Sequence, residues 1–178
     1  GDVYKRQNYG SVEGPEMPSE RQEAVAMPLD DGRVIIIGGC NAIGVVLKST
    51  EIYDPKTKSF SEGPDMSVPR SAPAALRLDD DHILVIGGAT NCYGTNAHAS
   101  TEILDTKSMT FSAGPSMATP RYGPAAVKLS DGRVLVLGGF NCDSARHREE
   151  FFVYRGDVHR TTEWLDVATN IFSPGPSM

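Results

Sequence analysis

The sequence predicts an all-β fold built from repeated four-stranded antiparallel sheets, and three observations lead to this prediction. A stretch of 25 residues recurs at 15–39, 64–88 and 115–139, each copy ending in an apolar run and a glycine pair. Each repeat contains four short strand-like segments and lacks the 3.6-residue apolar period of a helix. Turn residues separate nearly all of these segments, as in antiparallel meanders.

The four segments of each repeat differ in character. The first is rich in alanine (RQEAVAMPL, RSAPAALRL, RYGPAAVKL), which suits a strand crowded near a central axis. The second is apolar at every position (RVIIIGG, HILVIGG, RVLVLGG), as expected of a strand covered on both faces. The third reads STEIYDP, STEILDT and TTEWLDV, and the fourth reads KSFSEGP, MTFSAGP and NIFSPGP.

Turn and glycine positions keep the same register in all three copies. Asp31-Gly32 and Asp131-Gly132 suit a hairpin between the first two strands, and Asp80-Asp81 takes that place in the second copy. A glycine pair closes each second strand, where a side chain would strike a neighbouring backbone or where φ must be positive. The pairs are Gly38 with Gly39, Gly87 with Gly88, and Gly138 with Gly139. Four-stranded units repeating at about 50 residues are typical of β-propeller blades.

The repeats predict the following organisation of the chain. Residues 1–7 match nothing in the repeats and are interpreted as a non-native, adapter-derived segment; residues 8–17 are interpreted as the last strand of a preceding blade. The three blades are 18–66, 67–117 and 118–178, the last with a long loop at 140–160. Propellers close with about four to eight blades. Three blades therefore belong to a larger propeller, close by pairing with another chain, or stand as an open array.

Composition excludes several functional classes. A formal net charge of −6 argues against a general nucleic-acid binder, which needs a basic face. No apolar run approaches the roughly 18 residues of a membrane span, so we expect no membrane partner. The compartment stays open, although the odd number of cysteines and the lack of a visible signal peptide favour the cytoplasm.

The units resemble kelch repeats, which carry a glycine pair after the second strand and then an aromatic pair. Tyr53 and Phe60 match that pair, while Phe111 and Phe172 match its second member behind a leucine. The sequence motifs DGRVLVLGG, STEIYDP and FSxGPxM are similar to those of bacterial and galactose-oxidase-like kelch proteins. The resemblance covers 18–178.

Two loops of each blade are expected on one face: the loop before the first strand and the loop between the second and third strands. The resemblance implies that arginines before the first strand bind acidic side chains of a partner protein. The alternative is that they brace the scaffold, paired with Glu51, Glu102 or Glu163. The arginines are Arg21, Arg70 and Arg121, and Asn91 and Asn141 join them as candidate binding residues.

The loop at 140–160 adds cations and aromatic side chains to an otherwise acidic protein. We expect Arg146, Arg148, Phe152 and Tyr154 to contact a protein partner; the alternative is a solvated insertion. The cysteines, at 40, 92 and 142, are expected to be thiols because three is odd and no close-set pair suits zinc. A metal site from Cys92, Cys142, His98 and His147 stays open as an alternative.

Two functions of different classes follow. The first is a protein-interaction module whose loop face holds an acidic peptide segment, with no cofactor or metal and with possible self-association through open blade edges. The second is an enzyme, as part of the scaffold of a galactose-oxidase-like copper oxidase; that chemistry needs a Cys-linked tyrosine and histidine ligands spread over several blades. The chain shows no nucleophile elbow or phosphate-binding loop, so an enzyme is the less favoured interpretation.

Overall fold

The computed structural model describes residues 14–142 and 156–178, and these residues form three four-stranded antiparallel sheets and a two-stranded ribbon. Blade 1 contains β1 (Val25–Pro28), β2 (Val34–Ile37), β3 (Thr50–Asp54) and β4 (Ser59–Glu62). Blade 2 contains β5 (Ala74–Arg77), β6 (His82–Ile86), β7 (Thr101–Asp105) and β8 (Thr110–Ala113). Blade 3 contains β9 (Ala125–Lys128), β10 (Val134–Leu137), β13 (Thr162–Asp166) and β14 (Ile171–Pro174). The ribbon contains β11 (Phe140–Cys142) and β12 (Gly156–Val158).

Each sheet is a simple meander whose strands follow the order of the chain. None of the described residues is helical, and they contain no helix long and apolar enough to cross a membrane. The predicted fold class, propeller blades of four antiparallel strands, is confirmed, and the three sheets are not closed into a ring. The predicted aromatic pair is a cross-strand pair: Tyr53 lies opposite Phe60, with ring centroids 5.0 Å apart.

The burial of the second strand differs between blades according to how many neighbouring blades cover it. In β6, the residues from Ile83 to Ile86 are all fully buried, because blade 2 has a neighbour on each side. In β2, Ile35 and Ile37 are fully buried against blade 2, whereas Val34 and Ile36 on the other side are only half-buried. The continuous apolar run therefore serves two different packing faces, as the sequence predicted for covered strands.

Two apolar cores lie between successive blades. The core between blades 1 and 2 is centred on Ile35, Ile37, Ile52, Met66, Ile83, Val85 and Leu104. The core between blades 2 and 3 is centred on Leu76, Leu84, Ile86, Met117, Val134, Val136 and Leu165. Met66 and Met117, which end the G-P-x-M motifs of blades 1 and 2, thus each pack into the core between their own blade and the next one.

The glycine pairs attach each blade to the next through the backbone. The N–H of Gly39 donates to the carbonyl of Arg70 at 2.8 Å, and the N–H of Gly88 donates to the carbonyl of Arg121 at 2.9 Å. A Cβ on Gly38 or Gly87 would lie 2.4 Å from the same carbonyl oxygen, and both residues have positive φ. Any side chain here would separate the blades, so both reasons given for the glycines apply.

The loop at 140–160 was expected to be irregular, but its two ends are paired strands. Phe140 pairs with Val158 and Asn141 with Asp157, so the two ends of the loop form the short ribbon. The Phe140 ring packs edge-on against Tyr122, with centroids 4.9 Å apart, and this contact anchors the ribbon to the blade. Residues 1–7 and most of 8–17 lie outside the described residues, and the proposed blade boundaries stay predictions.

Candidate functional site: the loop face

The loop face is formed by the segments 18–24, 67–73 and 118–124, which precede the first strands, and by the segments between the second and third strands. These two kinds of segment contact each other in every blade. Backbone bridges join Gln22 to Cys40, Ser71 to Ala89 and Tyr122 to Phe140. Both kinds of loop therefore lie at one end of the blades, as the meander predicted.

The arginines of the loop face are buried inside it. Arg70 is fully buried, and its Nε donates to Glu102 Oε1 at 3.1 Å. Its two Nη atoms donate to the carbonyl oxygens of Gly87 and Ser100 and to the hydroxyl of Ser100, at 2.8–3.0 Å. Burial lowers the pKa of Arg70, and the charge of Glu102 opposes this shift.

The other two arginines repeat the arrangement. Arg121 is fully buried, with Nη2 3.2 Å from Glu163 Oε1 and Nη1 donating to Gly138. The Arg21 side chain is 1% exposed and lies 2.9 Å from Glu51. The buried side chains meet the carboxylate of their own blade, as the bracing alternative describes. A direct contact between these arginines and a partner stays a prediction.

The acidic partners of the arginines also order the loops before the first strands. Glu102 Oε2 accepts from the backbone N–H of Ser67 at 2.7 Å, and Glu163 accepts from Ala118 and Thr119. In blade 1 the equivalent position is Pro18, which has no N–H. Glu51 Oε2 is accordingly buried without a hydrogen-bond partner among the residues that the structure describes.

The asparagines of the loop face organise its backbone. Asn91 Oδ1 accepts from the N–H groups of Tyr93 and Thr95 at 3.0 and 3.1 Å, so its side chain is committed to its own loop. Asn41 does the same for Ile43 and Val45. Asn141 Oδ1 accepts from Ala97 of the neighbouring blade at 3.4 Å. Asn91 and Asn141 thus hold loops in place, and their predicted role in binding a partner stays a prediction.

These ordered loops present apolar side chains to solvent. Ile43 is 85% exposed, Val45 51% and Tyr93 48%, and all three lie between the second and third strands of blades 1 and 2. Val158, in the ribbon of blade 3, is exposed as well. Sequence reasoning missed these residues; the available signal was a run of apolar residues inside a loop that contains asparagine and glycine.

A comparison with family models bears on the first of the three repeats. Residues 24–67 match the family described as "Kelch motif". The chain contains a kelch repeat. The match spans the strands of kelch blade 1, and blades 2 and 3 repeat the same four-stranded architecture, as kelch-repeat blades do. A comparison with curated proteins found no match.

The loops of blades 1 and 2 are joined by a disulfide between Cys40 and Cys92, whose Cα atoms are 6.4 Å apart. The expectation of free thiols was wrong for these two residues. The odd count of cysteines was a poor guide, because it said nothing about loops of adjacent blades lying side by side. The side chain of Cys142 lies outside the described residues.

A carboxylate connects all three blades on the loop face. Glu23 Oε2 accepts from Ser71 Oγ of blade 2 and from the hydroxyl of Tyr122 of blade 3, the latter at 2.6 Å. Glu23 has a φ of +58°, a conformation that costs a non-glycine residue about 1–3 kcal/mol. Ala72 and Gly123 hold the equivalent positions, also with positive φ. Blade 1 therefore has a long charged side chain at a position where blade 2 has only a methyl group and blade 3 has no side chain.

Two histidines of the loop face make hydrogen bonds to backbone carbonyls. His98 and His159 hydrogen bond through Nε2 to the carbonyls of Pro69 and Pro120, both at 3.1 Å. Burial lowers the pKa of His98, and Arg70 lowers it further. In the described segments, no three His, Cys, Asp or Glu side chains are grouped as metal ligands. His147, Arg146, Arg148, Phe152 and Tyr154 lie outside the described residues.

Proposed function

We propose that these kelch blades form a protein-interaction module that holds its partner on the loop face, with Tyr93, Ile43 and Val45 as the apolar anchors. The observation that carries the proposal is the exposure of these side chains at the tips of two adjacent loops. Aromatic and large aliphatic side chains on ordered supports typically dominate the energy of protein interfaces.

The rigidity of the loops supports this assignment. The asparagine side chains accept hydrogen bonds from the backbone N–H groups of Ile43, Val45 and Tyr93 themselves, and the Cys40–Cys92 disulfide joins the two loops. An anchor that is already ordered loses little conformational entropy when it binds, so more of its contact energy becomes affinity.

Charge on the partner is a separate part of the proposal. Arg70 and Arg121 are buried, so the expected acidic segment would have to meet other cations. Arg160 is exposed next to the ribbon, and Arg146 and Arg148 occur earlier in the chain, in the loop at 140–160. An acidic partner segment therefore remains a prediction about residues 143–160.

The test uses a phage library of random peptides selected on the 178-residue chain. We expect the selected peptides to bind Tyr93→Ser and Ile43→Ser at least 10-fold more weakly than the original chain, measured by biolayer interferometry. A loss of this size corresponds to about 1.4 kcal/mol, within the range of interface anchors.

The matched control is Ile171→Ser, which removes an exposed isoleucine from the opposite end of blade 3. This change should leave peptide affinity within about twofold of the original chain. Equal weakening by Ile171→Ser, or unchanged affinity for Tyr93→Ser and Ile43→Ser, would remove the loop tips from the proposed interface.

A further inference from the structure

A cleft lies between blades 2 and 3, at the end of the blades opposite the loop face. Its volume is about 370 Å³, within the range of pockets that hold small molecules. Both blades that form it are among the described residues. The apolar side chains that line it include Leu84, Ile103 and Leu165, and the polar ones include Asp79, His82 and Asp105.

The interface between blades 1 and 2 shows which side chain is missing at the cleft. Met109 of blade 2 packs against the first core, whereas Asn170 takes its place in blade 3, lines the cleft and is exposed. The two residues have similar positive φ values, +53° and +59°, so the difference lies in the side chain. Ile103 is accordingly half-buried, although its equivalent Ile52 is 5% exposed. The cleft therefore leaves uncovered an apolar side chain that is covered at the first interface.

The charges of the cleft are also unlike those of the first interface. Asp79 bonds His82 Nδ1 at 2.8 Å, and His82 lies opposite Asp105 in the pairing of β6 with β7. Of the described residues that line the cleft, none is a lysine or an arginine. At the first interface the equivalent of Asp79 is Asp30, which pairs with Arg77 of the next blade at 3.2 Å.

Two lysines close to the cleft are bonded to other groups. Lys128 is the counterpart of Arg77, but its Nζ donates to the backbone carbonyl of Leu78. Lys107 pairs with Asp81 at 2.6 Å. The carboxylates of the cleft are therefore left without a lysine or arginine counterion among the described residues.

Both carboxylates are ionised at neutral pH. Burial opposes the ionisation of Asp79, but hydrogen bonds from the Asp81 N–H and from His82 outweigh it and hold the pKa of Asp79 below 3.8. The N–H groups of Ser108 and Lys107 lower the pKa of Asp105 in the same way. A partly enclosed space with negative charge beside an uncovered apolar surface favours a ligand that carries both a cation and an apolar body.

We propose that this cleft binds a small organic cation, whose ammonium group lies beside Asp79 and Asp105 and whose apolar body packs on Ile103. An ammonium group donates charge-assisted hydrogen bonds to carboxylates, and an aryl or alkyl body covers the surface that Asn170 leaves open. Arylalkyl amines combine the two features in a molecule small enough for the cleft. The proposal is independent of the proposed partner on the loop face, because the cleft lies at the other end of the blades.

The test titrates two amines, phenethylammonium and tryptammonium, into the ¹⁵N-labelled 178-residue chain and follows binding by two-dimensional NMR. We expect saturable shifts of the backbone N–H signals of Ile103 and Asn170. Phenethyl alcohol and hydrocinnamate keep the apolar body without the positive charge, so they should bind at least about 10-fold more weakly. If neither amine binds saturably, or if the alcohol binds as tightly as the amine, the proposal is overturned.

Asn170→Met tests the location of the site, since it fills the cleft with the side chain that Met109 has in the same backbone conformation. The affinity for phenethylammonium should fall at least about 10-fold. The matched control, Ala168→Met, adds the same side chain at an exposed position of the same turn and should leave the affinity within about twofold. Unchanged binding by Asn170→Met would overturn the proposed location.

Asp105→Asn tests the charge and keeps an oxygen that can accept from the N–H groups of Ser108 and Lys107. We expect it to weaken phenethylammonium binding at least about 10-fold. Asp54→Asn makes the same change at the equivalent position of blade 1 and should have no effect. Equal losses in the two aspartate variants would overturn the role of Asp105. The NMR spectra verify folding, and either Asn170→Met or Asp105→Asn decides the outcome if the other does not fold.

Discussion

The buried Arg–Glu pairs show how a residue pattern that resembles a binding site serves as scaffold. Arginine before the first strand and glutamate after the threonine of the third strand recur in all three repeats. Each guanidinium holds its own blade together by bonding the carbonyl at the end of the second strand and the carboxylate on the third. Burying two charges is costly, and the pair is stable because nearly all of its donors and acceptors are satisfied.

Arg121→Ala should lower the free energy of unfolding by about 3–5 kcal/mol, because it leaves the buried carboxylate of Glu163 without its counterion. Chemical denaturation measures the change. The control is Arg133→Ala, which removes an arginine whose ion pair with Asp131 is about half exposed and should cost about 0–1 kcal/mol. Equal costs for the two variants would show that burial of the pair is energetically unimportant.

Pro18 leaves a defect that a single substitution should repair. Pro18→Ala restores the N–H that Ser67 and Ala118 supply in the other blades, and Glu51 Oε2 gains a donor. A hydrogen bond to a charged group contributes about 1.5–3 kcal/mol, and the lost rigidity of proline offsets about 0.4–1 kcal/mol. We expect a net gain of about 1 kcal/mol in thermal or chemical denaturation.

The matched control for this repair is Pro55→Ala, in an exposed turn of the same blade. It removes a proline without offering a donor to a buried carboxylate, so it should be neutral or slightly destabilising. A stability gain of the same size for both variants would assign the effect to proline removal in general.

At the scale of elements, the loop between β6 and β7 couples stability to pH through His98. Burial and Arg70 hold the pKa of this imidazole below its ordinary value of 6.5, although the Pro69 carbonyl and Glu102 favour the charged form. As the pH falls through 6.5, the unfolded chain takes up a proton before the folded chain does. The contribution of His98 is therefore complete above pH 6.5 and is lost progressively below it.

We expect the melting temperature to fall between pH 7 and pH 5, and His98→Gln to flatten this part of the profile. His82→Gln, at an exposed histidine, should leave the decline in place. Carboxyl groups such as Asp105, whose pKa is lowered below 3.8 by the N–H groups of Ser108 and Lys107, affect a separate, more acidic range. An unchanged profile for His98→Gln would remove His98 as its source.

The strands and their stacking could be predicted from the sequence because they depend on local patterns repeated three times. The apolar run around Ile83 to Ile86 indicated two covered faces, and the glycine pairs indicated close backbone approach. The candidate site was less predictable because its residues meet across blades. Nothing near Cys40 in the sequence indicates that Cys92 is its disulfide partner. The exposure of Tyr93 depends on the loop conformation that the Asn91 side chain stabilises.

At the scale of the whole molecule, every interface between blades has a direction. The face formed by one blade is completed by the arginine carbonyl and apolar strands of the blade that follows it in the chain. The same dependence appears on the loop face. There the backbone N–H of Ala72 donates to the carbonyl of Glu23, and the N–H of Gly123 donates to the carbonyl of Ala72. Each blade therefore stabilises the one made before it, and cooperativity passes between neighbours.

This direction has a consequence for synthesis on the ribosome. After the methionine of one blade has been synthesised, about one further repeat must follow before the next blade can cover that methionine. Met66 and Met117, for example, are 51 residues apart. At about 5–20 residues per second, the uncovered apolar face of a finished blade waits roughly 3–10 s for its neighbour. During that interval the nascent chain displays an apolar blade surface that a chaperone, or the face of another nascent copy, can occupy.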